Sequence, residues 1–178
     1  MKYYEIFILI NGLAYVMAIG AQKRIGWIFG IASCIAQAYV SFKANYFLDS
    51  GLNIVYIAMG VLGFVHWNKP QAHFAASSLT KFDKGLYFSL GCLTSAAIGF
   101  FFKFLGNANP YLDAFTTVFS LIATWLAIKK IIDNWFIWMI VDSILAYMFY
   151  DKELYINASL YLVYGAIAIW GWTTWKRK

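Results

Sequence analysis

Seven apolar runs separated by short polar breaks account for nearly the whole chain. They cover residues 3–22, 25–42, 46–67, 85–104, 111–128, 132–150 and 155–175. Each reaches or approaches the ~20 residues an α-helix needs to cross a hydrocarbon core of roughly 30 Å. The breaks carry polar and turn-forming residues: Gln22-Lys23-Arg24, Lys43-Ala44-Asn45 and Gly106-Asn107-Ala108-Asn109-Pro110. A longer hydrophilic segment, 68–84, holds Lys69, Pro70, His73, Lys81 and Lys84. The pattern predicts an all-α integral membrane protein with seven transmembrane helices.

The runs repeat. A shift of 108 places residues 3–67 over 111–175 without a gap, with 12 identities in 65 positions. Trp27 meets Trp135, Tyr56 meets Tyr164, Gly63 meets Gly171 and Trp67 meets Trp175. The expected layout is therefore 3+1+3: a first three-helix repeat over 1–67, a loop and linker helix over 68–110, and a second repeat over 111–178. Three helices leave the chain on the far side of the membrane, and the fourth returns it. Both repeats then insert in the same sense, a standard transporter plan with the substrate between them near the midplane.

Composition agrees: 62% of residues are hydrophobic and 12% charged, where a soluble domain carries roughly twice that charge. The net charge of +6 reads as topology. With the C-terminus cytoplasmic, ten of the fourteen basic residues fall on the cytoplasmic side, so the N-terminus is expected outside. Nucleic-acid binding would need those residues gathered on a soluble face; none is expected. Cys34 and Cys92 lie within apolar runs and read as small buried hydrophobes. No cleavable signal peptide is evident, and no cofactor or metal site is expected. The sequence carries no GxxxxGK[ST], HExxH or GxSxG motif.

Candidate chemistry concentrates in Asn134-Trp-Phe-Ile-Trp-Met-Ile-Val-Asp142. At roughly 100° per residue, Asn134, Trp138 and Asp142 share one helix face, with Trp135 beside them. An unpaired carboxylate at the bilayer centre costs on the order of 3 kcal/mol, so Asp142 is expected to face a protein interior or a wet cavity. No Lys, Arg or His lies well inside any run. Asp142 is thus protonated and bonded between helices, hydrated, or paired with a cationic ligand. The neighbouring indoles, whose faces attract cations and flat rings, favour the ligand.

Further stripes accompany it. Asp49, Asn53, Tyr56, Gly60, Gly63 and Trp67 line one face of the third run. Asn157, Tyr161, Tyr164, Ala168, Gly171 and Trp175 do the same on the seventh. Small residues allow close helix approach, while amides and phenols offer hydrogen bonds. Gly30, Cys34, Gln37 and Ser41 form a face on the second run, where Gln37 needs a partner. The Asp113, Thr117, Ser120, Thr124 stripe on the fifth reads as structural, because such hydroxyls usually bond their own backbone.

Asn134-Trp-x-x-Trp-x-x-x-Asp142, Leu154-Tyr155 and Tyr164…Gly171…Trp175 resemble the Pnu vitamin transporter family of the PnuC type, with Gly26-Trp27-x-x-Gly30 and Gly63-x-x-x-Trp67 agreeing in the first repeat. The resemblance implies a SWEET-like fold and passage of a vitamin down its gradient, followed by trapping through a cytoplasmic vitamin kinase. Nicotinamide riboside members tend to carry Leu-Gln-x-x-Tyr and Tyr-Gly-Trp on the third helix. Here those positions read Leu52-Asn53-Ile54-Val55-Tyr56 and Leu62-Gly63-Phe64. The expectation is a facilitator in a bacterial inner membrane for a cationic heterocyclic vitamin, nicotinamide riboside first and thiamine as the alternative. Its expected binding residues are Trp135, Trp138, Asp142, Asn134, Gln37, Asn53, Tyr56 and Tyr164. Besides the vitamin and the bilayer, a homo-oligomer is compatible with such a chain. The rival readings are a membrane-embedded enzyme using Asp142 and a sensory or structural subunit without cargo.

Overall fold

The computed structural model describes residues 2–68 and 76–177; the expectations placed on Lys69, Pro70 and His73 lie outside them. Seven helices form among the described residues: α1 (Lys2–Gly20), α2 (Gly26–Lys43), α3 (Phe47–His66), α4 (Lys81–Phe104), α5 (Pro110–Ile128), α6 (Asp133–Asp151) and α7 (Tyr155–Lys176). By length and composition alone, α1, α3, α4 and α5 are apolar enough to span a membrane. The other three, α2, α6 and α7, include the helices richest in amides, indoles and phenols. Alpha-4 starts earlier than the hydropathy pattern suggests. The Thr80 hydroxyl accepts a hydrogen bond from the Asp83 backbone N–H at 3.1 Å and donates to the Asp83 carboxylate at 2.7 Å. This N-cap pulls Lys81 to Lys84 into the helix.

Consecutive helices pack as two sets, α1–α2–α3 and α5–α6–α7, which meet along two seams, α1 against α7 and α3 against α5. Alpha-4 packs on α5. Its start is fastened to the α5–α6 turn: Ser77 pairs with Ile131 in an isolated parallel bridge, and the Asp133 carboxylate accepts from the Ser78 hydroxyl and the Leu79 N–H and pairs with Lys84 at 2.7 Å. The corresponding corner of the first set is held by Arg24, which donates to the Phe64 carbonyl at 2.8 Å and lies 3.6 Å over the Phe64 ring.

Backbone geometry recurs at an interval of 108. Four non-glycine residues adopt positive φ, as two pairs at that spacing: Gln22 (58°) with Lys130 (54°), and Asn45 (63°) with Glu153 (60°). Each follows a helix C-terminus, where a left-handed residue lets the next N–H reach back to an otherwise unpartnered carbonyl. Lys23 N–H bonds the Ala18 carbonyl at 2.8 Å and Ile131 N–H bonds Leu126 at 2.9 Å; Tyr46 to Ser41 and Leu154 to Phe149 are both 2.9 Å.

The interior follows the same interval. Trp27 stands edge-on to Trp67 at 5.6 Å and 87°, and Trp135 edge-on to Trp175 at 5.5 Å and 89°. Trp67 and Trp175 meet each other at 6.0 Å, so four indoles form one chain across both sets. Gly63 and Gly171 let the outer two indoles in: a Cβ at either would lie 2.5 Å from the Trp27 ring or 2.7 Å from the Trp135 ring. The Trp67 indole N–H donates to the Ile128 carbonyl at 3.0 Å, and that of Trp175 to the Ile19 and Gly20 carbonyls at 3.2 and 3.1 Å. These acceptors lie in the last turns of α5 and α1, and both indoles are buried there, so packing keeps water from the bonds. Each indole therefore closes one seam.

Gly63→Ala and Gly171→Ala should each destabilise the fold by about 1–3 kcal/mol, since the added methyl drives a fully buried indole off its position. Reversible unfolding in detergent checks this; a loss confined to one of the two would break the equivalence of the two sites.

Candidate functional site

Between the seams lies a cavity of about 310 Å³ lined by residues of α1, α2, α3, α5, α6 and α7, and by none of α4. Its dimensions suit a small ligand. Towards the end at which α7 terminates, the indole chain bounds it: Trp27 and Trp135 line its wall and are 1% and 2% exposed. Farther along, the two helix stripes face it, Asn53, Tyr56 and Gly60 from α3 with Tyr161, Tyr164 and Ala168 from α7. One stripe thus serves two purposes, packing the indoles through Gly63 and Gly171 and lining the cavity with its polar half.

Seven of the eight expected binding residues reach this wall: Trp135, Trp138, Asp142, Asn134, Asn53, Tyr56 and Tyr164. Gln37 does not. Its amide donates to the Ser41 hydroxyl at 3.3 Å, and Ser41 donates to the Asp49 carboxylate, tying α2 to α3. Gln37 finds its partner within the bundle. Asn53 also bonds its own helix, donating to the Asp49 carbonyl at 2.9 Å. Asn157 is exposed and away from the cavity.

Trp135 is less free than sequence reasoning expects. Gly171 lies against its ring and Trp175 meets it at right angles, leaving it 2% exposed. Trp138 is half-buried, lines the cavity and packs against the indole cluster, and among the described residues it is not one of the four indoles in the chain, which leaves it the better stacking surface. Asp142 is 5% exposed, and among the described residues it forms no hydrogen bond or ion pair. Among the described residues no Lys, Arg or His lines the cavity.

Sequence reasoning missed several wall residues. Tyr15, Ser33 and Tyr161 line the cavity, as do Cys34 and the Ser120–Thr124 pair read as inert. Thr124 does satisfy its own backbone, donating to the Ser120 carbonyl at 2.8 Å. Cys34 and Gly30 belong to the second-run face that the repeat makes the counterpart of the Asn134–Asp142 face, 108 residues before Asp142 and Trp138. Where the second set offers a carboxyl and an indole, the first offers a thiol and a glycine, with the Tyr15 ring packed on that glycine. The frame is symmetric and its lining is not.

Three buried polar atoms on this wall lack a protein partner: the indole N–H groups of Trp27 and Trp135 and the side-chain carbonyl of Asn134. An unsatisfied buried group costs roughly 1–3 kcal/mol, so these three are tolerated at a cost to stability.

The profile of a family described as Nicotinamide mononucleotide transporter matches residues 2–177. The nicotinamide riboside transporter PnuC of Neisseria mucosa is 25% identical over 94% of this chain and 70% of its own length. The PnuC protein of Escherichia coli is 20% identical over 93% of this chain and 82% of its own length. The riboflavin/roseoflavin transporter RibM of Streptomyces davaonensis is 22% identical over 71% of this chain and 63% of its own length. A crystal structure titled as the vitamin B3 transporter PnuC superposes with a TM-score of 0.81, covering 99% of this chain and 81% of that one, at 21% identity.

Gln37→Ala should change ligand affinity less than about threefold while lowering stability by about 1 kcal/mol, because it removes a hydrogen bond within α2 that supports the Ser41 link to Asp49 on α3, and touches no cavity atom. Titration calorimetry paired with thermal unfolding checks both.

Proposed function

We propose that this chain, which belongs to the nicotinamide mononucleotide transporter family and is a multi-pass membrane vitamin transporter of the PnuC type, carries nicotinamide riboside down its gradient. The observation behind this reading is the isolation of Asp142: a buried carboxyl on a cavity wall with no basic residue, next to an uncommitted indole at Trp138. A carboxylate in that setting needs a counter-charge. A pyridinium ring supplies it, and its flat π-face suits stacking on Trp138. The Tyr164 and Tyr161 phenols on the same wall can donate to and accept from hydroxyls, as those of a ribose.

Thiamine is the second reading, supported by the same carboxyl and indole because its thiazolium ring is also cationic. The likeness to RibM brings in riboflavin, but a neutral tricyclic flavin would leave Asp142 without a counter-charge. The proposed orientation places the N-terminus outside and the C-terminus in the cytoplasm, following the excess of basic residues on that side. Phosphorylation by a cytoplasmic kinase would then retain the vitamin and keep the flow inward. Being a transporter, the protein needs no catalytic group, and Asp142 serves as a counter-ion.

Purified protein titrated in parallel with nicotinamide riboside, thiamine and riboflavin should bind the first most tightly. Asp142→Asn should weaken that binding at least tenfold, about 1.4 kcal/mol. Trp138→Ala should cost about 1–3 kcal/mol, the range for an aromatic side chain stacked on a planar ring. Tightest binding of riboflavin, unaffected by Asp142→Asn, would overturn the charge argument.

A further inference from the structure

The geometry points to Gly12 as a specificity-determining position: it makes room for the Tyr164 phenol and leaves that hydroxyl for the ligand. Tyr56 on α3 lines the cavity with Ser120 of α5, whose side chain lies beside its hydroxyl. The equivalent residues 108 positions away are Tyr164 on α7 and Gly12 on α1. There the hydroxyl rests against bare backbone: a Cβ on Gly12 would lie 2.8 Å from the Tyr164 hydroxyl and 3.8 Å from the Ser33 hydroxyl. The Ser33 hydroxyl already donates to the Ile8 carbonyl at 3.1 Å. Among the described residues Tyr164 forms no hydrogen bond, and bare backbone faces it where Tyr56 faces a serine side chain.

Two consequences follow for a cavity that both tyrosines and Gly12 line. Any side chain at position 12 occupies the place of the phenol oxygen, so the ring must swing away from α1 and into the cavity. The phenol left at rest over Gly12 also keeps an unspent donor and acceptor beside Asp142, suited to a ligand hydroxyl or carbonyl. A serine at 12, copying Ser120, would both narrow the cavity and claim the hydroxyl. The substrate consequence rests on the nicotinamide riboside reading above; the contact itself does not.

The test compares Gly12→Ser, Tyr164→Phe, the double variant and Tyr56→Phe, reading thermal unfolding in detergent and affinity for nicotinamide riboside. Gly12→Ser should lower Tm by several degrees, and adding Tyr164→Phe should restore most of it, because the removed oxygen is the atom the new Cβ meets. Affinity should fall about five- to tenfold in Gly12→Ser, in Tyr164→Phe and in the double variant alike, since each removes the same free hydroxyl. Tyr56→Phe should weaken binding by a smaller factor, because the neighbouring Ser120 hydroxyl competes with a ligand for the Tyr56 phenol. Losses that multiply in the double variant, or a Tyr56→Phe loss equal to that of Tyr164→Phe, would overturn the proposal. Failure of the wild type to bind nicotinamide riboside would instead count against the substrate reading. The unfolding rescue would then still decide the Gly12–Tyr164 contact, and the same variants titrated with the vitamin that binds would decide its role.

Discussion

Two indole-to-carbonyl hydrogen bonds hold the two halves of this protein together. Trp67 gives its N–H to the last carbonyl of α5, and Trp175 gives its N–H to the end of α1. In water each would contribute about 1 kcal/mol, because solvent could replace it. Both indoles are buried, so an indole N–H left unpaired there would cost about 1–3 kcal/mol. The remaining features of this region support those donors. Left-handed Gln22 and Lys130 stop α1 and α5 at the right residue, Gly63 and Gly171 admit the outer indoles, and edge-on contacts fix the ring planes.

This construction gives a transporter a natural point of opening. The indole chain bounds the cavity at the end where α7 terminates, and it is built entirely from contacts that cross from one three-helix set to the other or brace those that do. Separating the sets there would break both indole bonds together, as they are equivalent by the repeat. Substrate recognition, by contrast, cannot be symmetric, because the vitamin is not. The chain resolves this by changing a few positions on an otherwise repeated frame: Asp142 for Cys34, Trp138 for Gly30 and Ser120 for Gly12.

Much of this was legible in the sequence. Seven apolar runs gave the helices, and the constant offset aligned tryptophans and glycines that prove to touch in the same way in both sets. Trp138 and Asp142 declared themselves because a carboxyl and an indole inside an apolar run are costly unless something uses them. What was not legible depended on side-chain direction and on partners distant in sequence. Gln37 looked like a ligand amide, yet a serine one turn on and Asp49 on the next helix absorb it. Trp135 looked like a stacking surface, yet Gly171 and Trp175 bury it. Tyr15 and Ser33 carry no local signal, since a lone phenol or hydroxyl in an apolar helix is ordinary until the neighbouring helices are in place. The N-cap at Thr80 was readable as Thr-x-x-Asp but was overridden by the hydropathy of the flanking segment.

The two native cysteines offer the most direct test of a single ligand cavity between the sets. Cys34 lines that cavity at the position equivalent to Asp142, whereas Cys92 sits on α4, which contributes nothing to it. Labelling of the unmodified protein with a small thiol reagent, with each site followed by peptide mass spectrometry, should be slowed at Cys34 by saturating nicotinamide riboside. The rate at Cys92 should be unchanged. Equal labelling of Cys34 with and without the vitamin would contradict the account, because the ligand would then lie somewhere other than between the two halves.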